Sequence, residues 1–217
     1  MDTRRIKLNM KTEQSDGRRT ILCFGDSNTW GFDPRDMLEA RYSREQRWTA
    51  LLEAALPEYR IRTDGLNGRC IPRLHFELQI LEDEIKKSRP LALLILMLGT
   101  NDWLRMAEPD PEVIRTRAEA MLRFLLEPGV FPGGSDRILL LSPPQMDHHA
   151  DTEMRRYDTR DGRLTQAFQE AAKKAGVRFA DTGPWELPMA YDHIHLSEEG
   201  HRLFASRLTA LLRELLP

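Results

Sequence analysis

Cysteine is nearly missing from this chain, which carries only Cys23 and Cys70 among 217 residues. Two thiols, one in an apolar run and one in a later loop, are too few for a disulfide framework or a structural zinc site. A reducing, cytoplasmic setting is expected. Long apolar runs are missing as well. The longest, Leu91 to Leu98, falls far short of the ~20 residues that a membrane-spanning helix needs. Residues 1–19 hold charge without the apolar centre of an export signal, and no membrane partner is expected. Charge of one sign is also lacking, since 32 basic residues stand against 34 acidic ones for a net charge of −2. With the two signs interspersed there is no broad field to draw in nucleic acid, so small or neutral partners are favoured.

What is there is the patterning of one α/β domain. Single cores grow to roughly 250 residues before chains divide, so we expect a polar tail over residues 1–19 and one domain over 20–217. Short β-branched or leucine-rich runs recur at 20–24, 59–62, 91–98, 137–141 and 177–180. Between them apolar residues return at helical spacing, as in Trp48, Leu51, Leu52, Ala55 and Leu56, or Leu74, Leu78, Leu81 and Ile85. Further helices are expected over 111–127, 163–175 and 197–215, the last capped by Ser197 with Glu198 and Glu199 in its first turn. Alternating strand and helix implies parallel strands with right-handed crossovers. The expected fold is a three-layer α/β/α sandwich around a five-stranded parallel sheet.

In such sheets ligands sit beyond the carboxyl ends of the strands. Those ends carry Gly25-Asp26-Ser27-Asn28, then Asp64 to Arg69 with Gly68 among them, then Gly99-Thr100-Asn101-Asp102, then Ser142-Pro143-Pro144, and lastly Asp192-His193-Ile194-His195. Together they supply a serine, candidate bases, carboxylates, glycine N–H groups and a side-chain amide. Acyl transfer needs that set: a hydroxyl nucleophile, a base, a group that orients the base, and donors for the oxyanion. Ser27, His195, Asp192, Gly68 and Asn101 fill those roles. His195 is preferred over His193 because a spacing of three across a turn brings a carboxylate to the ring, whereas adjacent side chains point apart.

The blocks GDS at 25–27, Gly68, GTND at 99–102 and D-x-x-H at 192–195 resemble the SGNH, or GDSL-type, serine hydrolases. Each block alone is weak, but four in order over residue 20 to the end are specific. CFGDSNTWG, the Arg47-Trp48 pair, GLNGR at 65–69, MLGTND at 97–102 and SPP at 142–144 look more narrowly like the arylesterase and acetylesterase branch. The resemblance implies the flavodoxin-like fold of that family and an esterase acting on short-chain aryl esters or acetylated carbohydrates, with acyl transfer to alcohols as a further activity. It implies Ser27 as nucleophile, His195 as base, Asp192 as the orienting carboxylate, and an oxyanion hole of the Ser27 N–H, the Gly68 N–H and the Asn101 amide. No cofactor and no metal are implied. Only one helix separates Gly68 from the third strand, where oligomeric members tend to carry an inserted loop, so assembly into a homo-oligomer is left open.

Other residues have a structural reading beside the functional one. Trp30 and Trp103 could line an acyl or aryl pocket or fill the sheet edge, and Arg69 could position its own loop, meet a polar substrate or, by default, lie solvated. His148 and His149, in the polar loop 142–162, could contact substrate. With Asp147, Asp151 and Asp192 they could instead serve a metal-dependent hydrolase, although an exposed polar loop explains them as well. A non-catalytic flavodoxin-like binding module would explain the fold but leave Asp192 and His195 idle. Asp26 and Asp102 read as caps beside tight turns, and Cys70 lacks a neighbouring histidine to activate it.

Overall fold

The computed structural model describes residues 17–36 and 41–216. Of the polar tail expected over 1–19, residues 1–16 lie outside the described residues. Five strands form: β1 (Arg19–Gly25), β2 (Tyr59–Gly65), β3 (Leu91–Met97), β4 (Ile138–Leu141) and β5 (Arg178–Ala180). They pair in parallel in the order β2-β1-β3-β4-β5. Among the described residues seven α-helices lie between or beside them: α1 (Ser27–Trp30), α2 (Trp48–Ala55), α3 (His75–Lys87), α4 (Thr100–Leu104), α5 (Pro111–Leu125), α6 (Arg163–Ala175) and α7 (Glu198–Leu215). None of the described helices is long and apolar enough to cross a membrane.

The apolar runs sort by face. In β1, Leu22 and Phe24 join α3, α5 and α6 in one core, whereas Ile21 and Cys23 join α2 and α7 in the other. Strand β3 obeys the same alternation except at its start, where Ala92 and Leu93 share a face. The pairing explains it, because Thr20 meets Leu91 but Ile21 meets Leu93. One residue is thus passed over, and the inserted residue resets which side each later leucine faces. Helix α3 starts one residue later than its apolar spacing suggests. Leu74 is its half-exposed N-cap, and Glu77 takes the Leu74 N–H at 2.9 Å.

The strand order reverses at β1, which is flanked by β2 on one side and β3 on the other. Such a reversal opens a crevice at the carboxyl edge of the sheet. Gly25 and Gly65 stand side by side in register there. A Cβ at Gly65 would come within 2.2 Å of the Trp30 nitrogen, and one at Gly25 within 2.1 Å of Thr29 Oγ1. The missing side chains let α1 fold back directly over the strand ends, which sets where Ser27 emerges.

Candidate active site

Ser27 opens the single turn of α1, whose cap is Asp26: Asp26 Oδ1 accepts the Asn28 N–H at 3.0 Å. The serine is 5 % exposed. Its Oγ lies 3.0 Å from His195 Nε2, and His195 Nδ1 lies 2.5 Å from Asp192 Oδ2. A proton on Nδ1, shared with the carboxylate, leaves Nε2 to accept from the serine.

The Asp192 turn is closed upon itself. Asp192 Oδ1 takes the backbone N–H of Ile194 at 3.1 Å and of His195 at 3.0 Å. His193 between them adopts a left-handed backbone with φ 57, a conformation costly for a residue with a Cβ. That bend brings the carboxylate and the ring three residues on to the same side, and turns His193 away. Burial pushes the Asp192 carboxyl up, but the His195 ring and the two N–H bonds outweigh it and hold the group below the usual carboxylate range. The Phe32 ring packs against the imidazole, centroid to centroid at 4.5 Å.

Gly68 and Asn101 come from the ends of β2 and β3. Gly68 has a φ of 76, a left-handed value that suits glycine, and its carbonyl accepts from Arg105 Nη2 at 3.0 Å. Asn101 Nδ2 donates to the Arg69 carbonyl at 3.0 Å, which fixes the amide and leaves its second N–H. Asp102, fully buried, is a support: it accepts the Ile71 N–H at 2.8 Å and Arg117 Nη1 at 2.7 Å. Cys70 is half-buried, and burial pushes its thiol up, against thiolate chemistry.

Several expected substrate contacts sit elsewhere. Trp103 is 0 % exposed within the α3, α5 and α6 core, with the Arg163 guanidinium 5.7 Å from its ring centroid. With no exposed surface Trp103 cannot line a pocket; it is part of that core. Arg69 is tied inward. Its Nη1 donates to the carbonyls of Gly25 (2.9 Å) and Asp64 (2.6 Å), its Nη2 to Asp64 Oδ1 (2.9 Å), and it lies 4.0 Å over Phe24. It therefore ties the ends of β1 and β2 together. Trp30 remains half-buried at the crevice under Arg41, 4.6 Å from its ring.

His148 is buried with its ring 6.0 Å from His193, and burial, then that neighbour, lowers its pKa. His149 is exposed and pairs with Asp147 at 2.6 Å. The grouping of 147–151 with Asp192 does not form, since Asp192 is taken by His195 and Asp151 caps Glu153 and Met154. A different trio converges, Asp147, His149 and Asp158. Its two carboxylates already hold the Arg160 guanidinium at 3.0 and 3.1 Å.

Two recesses lie near these groups. One, of about 280 Å³, adjoins Gly68 and is lined by Leu66, Phe76, Ile80 and Arg105. The other, also about 280 Å³, adjoins His193 and is lined by Gln145, Asp147, Arg160 and Glu186.

Comparison with known proteins agrees with the fold and places the chain among acylhydrolases. The model of the GDSL-like lipase/acylhydrolase family matches residues 23–203. An aryl esterase of M. smegmatis is 27 % identical, with a TM-score of 0.74 over 91 % of this chain and 100 % of that one. A carbohydrate acetylesterase from Sinorhizobium meliloti is 26 % identical, with a TM-score of 0.74 over 92 % of this chain and 100 % of that one. The uncharacterized lipoprotein YqeF of Bacillus subtilis (strain 168) is 31 % identical over 116 residues, which are 51 % of this chain. The match spans 43 % of that lipoprotein, less than half its length.

Proposed function

The chain belongs to the GDSL-like lipase/acylhydrolase family, and from that premise we propose that it is a serine esterase acting on short-chain acyl esters. The observation that carries this reading is the 3.0 Å approach of His195 Nε2 to Ser27 Oγ, with Asp192 2.5 Å behind the ring.

In this reading Ser27 Oγ attacks the ester carbonyl as His195 Nε2 takes its proton. The tetrahedral oxyanion accepts from the N–H groups of Ser27 and Gly68 and from the remaining N–H of the Asn101 amide. His195 then hands the proton to the leaving alcohol, and an acyl group stays on Ser27. Water, deprotonated by the same ring, attacks the acyl-enzyme and releases the acid. An alcohol in place of that water gives acyl transfer. Asp192 keeps the proton on Nδ1 and offsets the positive charge that forms on the ring.

Aryl esters and acetylated carbohydrates are the substrates this reading favours. The apolar recess beside Gly68 suits an aryl or short alkyl group, and the polar one beside His193 suits the hydroxyls of a sugar. Turnover of p-nitrophenyl esters and acetylated sugars, compared between the wild type and Ser27→Ala, tests mechanism and substrate together. A fluorophosphonate probe that left the wild type unlabelled, or labelled Ser27→Ala equally, would overturn the serine mechanism.

A further inference from the structure

Asn28 follows Ser27 on α1, is 2 % exposed, and has both polar atoms of its side chain hydrogen-bonded. Its Nδ2 donates to the Ile194 carbonyl at 3.1 Å, and its Oδ1 accepts the Leu196 N–H at 2.8 Å. The two bonded peptide groups stand on either side of His195. We propose that Asn28 is the positioning residue that sets the nucleophile-to-base distance, a reading that rests on the Ser27 and His195 chemistry given above.

The mechanics follow from which parts are locked to which. Asp192 holds the His195 ring and also the backbone N–H groups of Ile194 and His195, so carboxylate and imidazole form one closed unit. Among the described residues, the hydrogen bonds from this turn to α1 are the two of Asn28 and the Ser27 to His195 contact itself. Asn28 is in turn held through its own main chain. Its N–H is taken by Asp26 Oδ1 at 3.0 Å and its carbonyl by Trp48 Nε1 at 2.8 Å.

The chemistry at both ends asks for a carboxamide. One partner is a carbonyl and the other an N–H, so the side chain must donate at one end and accept at the other. A carboxylate of the same shape would set an acceptor against the Ile194 carbonyl, and an apolar side chain would leave two polar groups unmet in a buried place. The 168 positions between Ser27 and His195 are thus bridged by the residue adjoining the nucleophile.

The test compares Asn28→Ala and Asn28→Asp with the wild type and with Ile114→Ala, a core variant remote from the site. Loss of the clamp lets the Asp192 and His195 unit drift as a body. A displacement near 1 Å costs up to about 100-fold in rate, so kcat and the rate of fluorophosphonate labelling should fall about 10- to 100-fold. KM should stay within about twofold, because no group that binds the ester is removed. The pH profile of kcat/KM should keep its wild-type shape in Asn28→Ala, since Asp192 still holds the ring, but move in Asp192→Asn. Asn28→Asp should be no better than Asn28→Ala. The proposal is overturned if Asn28→Ala keeps its kcat, or if Ile114→Ala loses as much kcat for the same drop in Tm. Failure of the underlying reading looks different: the wild type itself would go unlabelled.

Discussion

Replacing Asp26 by asparagine should make the fold more stable and the site slower. Asp26 is 1 % exposed; Oδ1 caps α1, and Oδ2 has no hydrogen-bond partner among the described residues. Burial pushes its pKa up to about 6, against ~3.9 for aspartate in an open chain. The folded state therefore binds this proton more tightly than the unfolded one. Stability from the neutral form is full below about pH 4 and is lost as pH rises through about 6. A gap of about two pH units corresponds to roughly 3 kcal/mol. Asp26→Asn keeps an oxygen for the Asn28 N–H and stays neutral at every pH. Above about pH 7 it should gain about 3 kcal/mol over the wild type, and near pH 4 almost nothing. For a chain of this size the gain is a rise of roughly 6–12 °C in Tm. Thermal unfolding of both proteins at the two pH values reads it directly. A variant that melts at or below the wild type in the alkaline run, or gains equally in both, refutes the argument. Activity should move the other way. Asp26 and the His195 ring attract each other, so the buried anion favours the imidazolium formed during attack, and kcat of the more stable variant should drop.

Two further substitutions test how the edge of the sheet is built. Gly65→Ala drives a Cβ to within 2.2 Å of the Trp30 nitrogen, so α1 must lift; a loss of about 1–3 kcal/mol is expected, with slower probe labelling because Ser27 rides on that turn. Arg69→Lys removes a fork that bonds two carbonyls and a carboxylate, and a lysine point charge cannot replace it. A lower Tm with KM within about twofold is expected, and a raised KM at unchanged Tm would make Arg69 a substrate contact instead.

The strands were legible because their burial is continuous. Leu91–Met97 is covered on both faces and reads as an unbroken apolar run. The long helices announced themselves by spacing and caps, and α6 occupies the 163–175 span expected of it. The one-turn helices α1 and α4 gave no such sign, since four or five residues hold too little periodicity. That left Trp103 open between a pocket wall and a sheet-edge filler. Two residues after Asn101 on a helix it is turned about 200° from the amide, and it faces the core. Of the readings open for Arg69, holding its loop is the one its bonds support, and the letters could not choose it because two of its three acceptors are backbone carbonyls, which no residue pattern encodes. Asn28 is the same case. The D-x-x-H spacing, by contrast, needed only one tight turn to close, and its geometry was readable from the letters, although the left-handed His193 that closes it was not.

The distance along the chain between Ser27 and His195 has a consequence for how activity arises during synthesis. All five strands and the nucleophile's turn precede the segment that brings the base. A growing chain interrupted before Asp192 would carry a shaped serine with no group to deprotonate it. On the proposed mechanism hydrolytic competence arrives late, when the Asp192 turn and the helix after it dock. On the proposed mechanism a chain that stops before His195 has no base for Ser27, and ester turnover counts only molecules whose two ends have met.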